Sequence, residues 1–135
     1  KAATNLLAAS DAKKGEEVKP ILMDEHKMKV NNYVIQSQVY LNPTFSIIDL
    51  SRATNIPVHH LRLLINKNGG QRFNDFINQY RIDHMQALID NGEALSKTLE
   101  TLAFESGFSS KAAFIRGVKK LTNLTPSVYF NQRKV

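Results

Sequence analysis

The sequence predicts an all-α chain in which two short helix-turn-helix units flank one long connector helix. Three observations carry this reading. Capping residues punctuate the chain where hydrophobic runs begin, with Ser46 and Asp49 at the first and Ser110 at the last. A stripe of Phe76, Ile77, Tyr80, His84 and Leu88 recurs at helical spacing between them. The flanking segments also repeat: Leu50 answers to Leu102, Asn55 to Gly107, Ile56 to Phe108 and Leu61 to Phe114, at offsets of 52, 52, 52 and 53 residues.

The elements follow in order. Residues 1 to 20, with "AASDAKKGEEVKP", are small, charged and weakly apolar, and read as a flexible leader closed by Pro20. Residues 21 to 42 read as a helical linker, one helix from Ile21 to about Tyr40 with Leu22, His26, Val30, Tyr33, Val34 and Ser37 on one side, broken at Asn42 and Pro43. The main domain spans 43 to 135. Ser46 caps its first helix, Asp49 completes the capping box, and Phe45 packs on Leu50 as a hydrophobic staple. That helix ends near Thr54, and the next runs from Val58 to Asn68, where Gly69 and Gly70 supply a stop. The first unit is thus about 46 to 68. The connector spans 73 to 90 and ends at Asn91 and Gly92; at 1.5 Å per residue it is about 27 Å long. The second unit, about 98 to 121, opens at Ser96 or Thr98, turns at Gly107 with Phe108 in the corner, and resumes at Ser110.

Charge narrows the function. Of the formal net charge of +6, residues 43 to 135 hold twelve Lys and Arg against seven Asp and Glu, and no acidic side chain follows Glu105. A one-signed field of this kind favours a polyanion. Cysteine is absent, which excludes disulfides, thiolate metal sites and cysteine nucleophiles. The four histidines, His26, His59, His60 and His84, form no metal-ligand spacing, and Gly69 and Gly70 lack a phosphate-loop context, so neither an enzyme nor a metal or other cofactor is expected. No apolar run of 18 residues exists, which predicts a soluble chain. The start on Lys1 reads as a piece of a longer polypeptide.

On helical geometry, Ala113, Phe114, Val118 and Leu121 face inward, which leaves Lys111, Ala112, Ile115, Arg116 and Lys119 accessible. In the first unit Leu61, Leu64 and Ile65 face the core.

The segments "YLNPTFSIIDLSRATNIPVHHLRLLINKNGG", "FNDFINQYRIDHMQALI" and "LETLAFESGFSSKAAFIRGVKKLTNLTPSVY" together resemble the DNA-binding domain of the AraC/XylS family of bacterial transcription activators. Phe73, Asn78, Arg81 and Ile82 in the connector and Thr125, Pro126 and Ser127 at the close carry the resemblance, which covers about Tyr40 to Lys134. "YLNP" and "HHLRLLIN" are similar to a Bacteroidetes-type branch, in which such domains end long sensor proteins.

The resemblance implies a seven-helix, two-lobed domain, here with an extra N-terminal helix, that places one helix from each lobe in successive major grooves of double-stranded DNA. Those grooves lie roughly 34 Å apart on one face, near the connector's length once the docked helices' width is added. The base-reading positions it implies are His59, Arg62 and Leu63 in the first lobe and Ala112, Ile115 and Arg116 in the second. Arg116 suits a bidentate contact to guanine, and Ala112 or Ile115 a thymine methyl. Lys67, Lys111, Lys119 and Lys120 are assigned to phosphates, where they position rather than specify. Arg81 is expected in a capping or salt-bridge role inside the domain.

Several positions depart from the family pattern. Pro57 replaces a capping serine, Gly69 a leucine, Val118 a phenylalanine filled in by Tyr129 or Phe130, and Asn123 a glycine whose left-handed backbone Asn can adopt. The implied setting is cytoplasmic, with any membrane anchor upstream. The implied partners are DNA and RNA polymerase, with self-association through the upstream region and no small-molecule effector site in these residues. The competing reading is a degenerate domain of this type acting as a protein-interaction or dimerisation module.

Overall fold

In the computed structural model, which describes residues 20–66 and 71–132, three of the seven α-helices begin where an N-cap hydroxyl accepts from a free first-turn amide. Seven α-helices, two 3-10 turns and no strand occur among the described residues. They are α1 Pro20–Ser37, α2 Ile47–Thr54, α3 Val58–Ile65, α4 Phe73–Asp90, α5 Leu99–Glu105, α6 Lys111–Thr122 and α7 Pro126–Gln132, with 3-10 turns at Val39–Leu41 and Glu93–Leu95. Before α2 the Ser46 hydroxyl accepts from the Asp49 amide at 3.2 Å, and Asp49 accepts from the Ser46 amide at 2.9 Å, which is the expected capping box. Ser110 caps α6 by accepting from the Ala113 amide at 3.1 Å. Of the two candidates for α5 it is Thr98 that caps, accepting from the Thr101 amide at 3.1 Å, while Ser96 closes the preceding 3-10 turn.

The internal repeat is visible in the backbone and the core alike. Asn55 and Gly107 both take positive φ, at 61° and 107°. Their partners Leu50 and Leu102, Ile56 and Phe108, and Leu61 and Phe114 are all buried. Each helix pair closes its own hydrophobic cluster. Val30, Val34, Tyr40, Phe45, Leu50, Ile56, Leu61 and Ile77 form the first. The second gathers Ile82, Met85, Ile89, Leu102, Phe108, Phe114, Val118 and Phe130. The connector α4 serves both, giving Ile77 to one and Ile82, Met85 and Ile89 to the other. Phe130 fills in beside Val118, and Asn123 adopts φ 62°, as expected at both positions.

Two helices end earlier than their periodicity suggests. α1 stops at Ser37, not Tyr40: the Ser37 hydroxyl turns back to the Tyr33 carbonyl at 2.6 Å and Gln38 takes φ 55°. The break swings the Tyr40 and Asn42 carbonyls toward α4. α3 ends at Ile65, with Asn66 outside the helical region and its side chain accepting from the Gln71 amide at 3.1 Å; the expected end at Asn68 lies outside the described residues. The leader up to residue 19 and the Gly69 and Gly70 stop lie outside the described residues.

Arg81 joins the two clusters. Buried in the middle of α4, its Nε donates to the Tyr40 carbonyl at 2.7 Å, one terminal nitrogen to the Asn42 carbonyl at 3.0 Å, and the other to Asn78 Oδ1 at 2.9 Å. Its guanidinium lies 5.9 Å from the Phe108 ring centroid, in the second cluster. The expected internal capping role is therefore its role, through carbonyls rather than an acidic partner. Burial pushes the guanidinium down to about 10, which leaves it protonated at neutral pH. Gly107 packs on the same joint, where a Cβ would collide with the Tyr40 carbonyl and stand 2.9 Å from Arg81 Nε. Arg81→Ala should lower the unfolding free energy by about 3 kcal/mol, since it strands two carbonyls. Arg81→Lys should recover only part of that, because an ammonium has no planar fork. Urea unfolding of both variants measures this.

Candidate nucleic-acid interface

The candidate interface is built on α3 and α6, the second helices of the two pairs. On α3 the buried residues Leu61 and Ile65 turn the opposite face outward, and that face holds His59, Arg62 and Leu63, all exposed. On α6, with about 100° between residues, Lys111, Ile115, Lys119, Ala112, Arg116 and Lys120 follow one another around one half of the helix. All six are exposed, while Phe114, Gly117 and Val118 occupy the buried half. Each set of three expected base-reading positions shares one exposed face, and the two sets correspond across the repeat at an offset of 53 residues. Lys67 lies outside the described residues.

Electrostatics favour an anion at α6. The helix carries Lys111, Arg116, Lys119 and Lys120 and no acid. The carboxylates of Glu93 and Glu105 are paired with Lys97, at 2.9 and 3.1 Å. Lys120 behaves differently from the expected phosphate contact. Its ammonium donates at 2.7 Å to Asp75 Oδ2, the same oxygen that accepts from the Arg72 amide at 3.1 Å at the start of α4. Asp75 is buried, so this contact pins the C-terminal end of α6 to the first turn of the connector. No sequence pattern pointed to the pair, because its members are 45 residues apart.

Gly117 was also missed, although a glycine inside a helix signals a close approach. A methyl there would stand 2.9 Å from Asn78 Nδ2 and 3.2 Å from the Phe108 ring. Asn78 has little freedom to retreat, since its Oδ1 accepts from Arg81. The bare backbone thus lets α6 sit close against α4.

A family model described as "Helix-turn-helix domain" matches residues 50–132. Uncharacterized HTH-type transcriptional regulators of Staphylococcus aureus strains COL and MSSA476 are each 28% identical over 113 residues, 84% of this chain. The chain spans 14% of their length. A protein of unknown function from Listeria innocua has a similar structure, with a TM-score of 0.58 and 25% identity over 84% of this chain and 98% of that one. The C-terminal domain of the two-component response regulator yesN from Fusobacterium nucleatum is similar at a TM-score of 0.57, with 26% identity over 78% of this chain and 98% of its own. Among the described residues no helix is long and apolar enough to cross a membrane.

Gly117→Ala should destabilise the fold by about 1 to 3 kcal/mol, the usual cost of overpacking. Chemical unfolding reads the loss. The reverse substitution at exposed Ala53, Ala53→Gly, should cost at most about 1 kcal/mol.

Proposed function

The chain belongs to the helix-turn-helix domain family, and on that premise we propose that it binds double-stranded DNA in a sequence-specific manner to regulate transcription, with α3 and α6 reading successive major grooves. Helix-turn-helix regulators are not enzymes, and a catalytic reading is set aside. The observation that supports the reading best is the duplicated helix pair with its one-signed second face: Lys111, Arg116 and Lys119 project from a helix that carries no acid. In this reading the domain is of the AraC/XylS type. The repeat, the 18-residue connector and the internal role of Arg81 all support that assignment.

Within the proposal, Arg116 and Arg62 contact bases, while Lys111 and Lys119 contact phosphates. Ala112, Ile115 and Leu63 supply apolar contacts, and His59 reads at the start of α3. Lys120 acts through Asp75 to hold α6 in place. The setting is cytoplasmic, activation works through RNA polymerase, and self-association belongs to an upstream region. A second reading, a protein-interaction module, is favoured by Leu63 and Ile115, which are 36% and 38% exposed on the two faces.

Titration of the chain onto selected and random duplexes separates the two. Preference for the selected duplex supports regulation, and equal binding favours the interaction module. Arg116→Ala should cost about 1 to 3 kcal/mol on the selected duplex alone. Lys119→Ala should weaken both duplexes alike and reduce the salt slope by about one unit. Arg62→Ala should shift preference about one helical turn from the Arg116 half-site, with Leu63→Ala having the smaller effect. An Arg116 variant that loses both duplexes equally is a phosphate contact instead.

A further inference from the structure

α1 lies outside the residues matched by the family, yet it packs on the first reading helix. His26, on the docked side of α1, sets its ring 5.7 Å from that of His60 on α3, tilted by 32°. His60 in turn meets the ring of His59 at 4.4 Å, edge on face at 71°. The three imidazoles form a row that runs from α1 to the exposed face of α3. Beside the row α1 is fixed by Val30 and Val34 in the first cluster and by the Tyr80 hydroxyl, which donates to Asn31 Oδ1 at 2.8 Å. The Nδ1 atoms of both His26 and His60 are shielded from solvent and have no hydrogen-bond partner among the described residues. Hydrogen bonding at those nitrogens therefore does not explain why two imidazoles stand there, and ring packing does.

We propose that His26 is a positioning residue for DNA reading: from α1, through His60, it fixes the pose of His59 on the exposed face of α3. The inference rests on the reading role of α3 given above. An exposed histidine at a helix start samples several rotamers, and an edge contact from a ring that is itself held reduces that freedom before DNA arrives. With His26 gone, His60 is free to turn toward the space left beside α1, and His59 loses its support.

The packing also makes the contact responsive to pH. Burial pushes both imidazoles below their ordinary value of 6.5. His60 and Lys29 lower His26 further while Glu25 opposes them, and His59 lowers His60. Depressed values mean that docking favours the neutral rings. The contribution is thus complete above the ordinary value and is lost as pH falls through the lowered ones. A charged ring here has a shielded Nδ1–H with no acceptor among the described residues.

A double-mutant cycle on the 135-residue chain tests this, with selected and random duplexes as probes. His26→Ala should weaken the selected duplex by roughly threefold to thirtyfold, inside the range that couplings between residues in contact cover, and leave the random duplex unchanged. In a His59→Ala background the same change should have no further effect. His26→Phe keeps a ring without its proton. It should retain selectivity and show a shallower decline than the wild type as pH falls below about 6.5. Circular dichroism melts confirm that each variant is folded. A His26→Ala loss that is the same with and without His59, or a His26→Phe decline as steep as the wild type's, overturns the positioning role alone. A wild type that binds both duplexes equally overturns the reading of α3 and this role with it.

Discussion

The buried guanidinium of Arg81 is the interaction on which the rest of the structure depends. A charge removed from water needs hydrogen-bond acceptors at every edge, and here they come from the Tyr40 and Asn42 carbonyls and from Asn78. To deliver those carbonyls, the chain leaves α1 at Ser37 and tightens into a 3-10 turn. To let them approach, residue 107 has no side chain. The Arg81 plane then faces Phe108, at the corner of the second helix pair. One side chain thereby ties the segment after α1 to the connector and to the second core.

The contacts that hold α6 follow from the same joint. Asn78, fixed by Arg81, is the neighbour that Gly117 admits. One helical face is thus closed by a short approach between α6 and α4, and its far end by Lys120 on Asp75. Both devices are internal, so the exposed half of α6 keeps Lys111, Arg116 and Lys119 for a ligand. In the first helix pair α3 is braced from outside the residues matched by the family, by α1. Capping by Pro57 involves no side-chain hydrogen bond at the start of α3, which makes that outer brace more consequential.

Local features were the legible ones. Ser46, Asp49 and Ser110 announce helix starts through backbone amides three residues away, and Asn55 and Gly107 announce turns through the conformations they tolerate. The connector's bounds, Phe73–Asp90, follow from its stripe and from Asn91 and Gly92. The exposed sets on α3 and α6 follow from helical periodicity once the cores are assigned. What escaped was long-range or competitive. Lys120 with Asp75 and His26 with His60 unite residues far apart in sequence, which periodicity does not register. At the early end of α1 the Ser37 hydroxyl competes with the helix backbone for the Tyr33 carbonyl, and past the end of α3 the Asn66 side chain accepts from Gln71. The sequence marked Arg81 as unusual in an apolar connector, but two of its three acceptors lie 39 and 41 residues away.

The Arg81 joint should hold α3 and α6 as one rigid unit, and the distance between the two helices reports it. The chain has no cysteine, so spin labels on Leu63→Cys and Ile115→Cys report that pair alone. Pulsed electron resonance should give one narrow distance distribution in the free chain and a broadened one when Arg81→Ala is added. A distribution that is already broad or multiple with Arg81 intact, or one that Arg81→Ala leaves unchanged, contradicts the account.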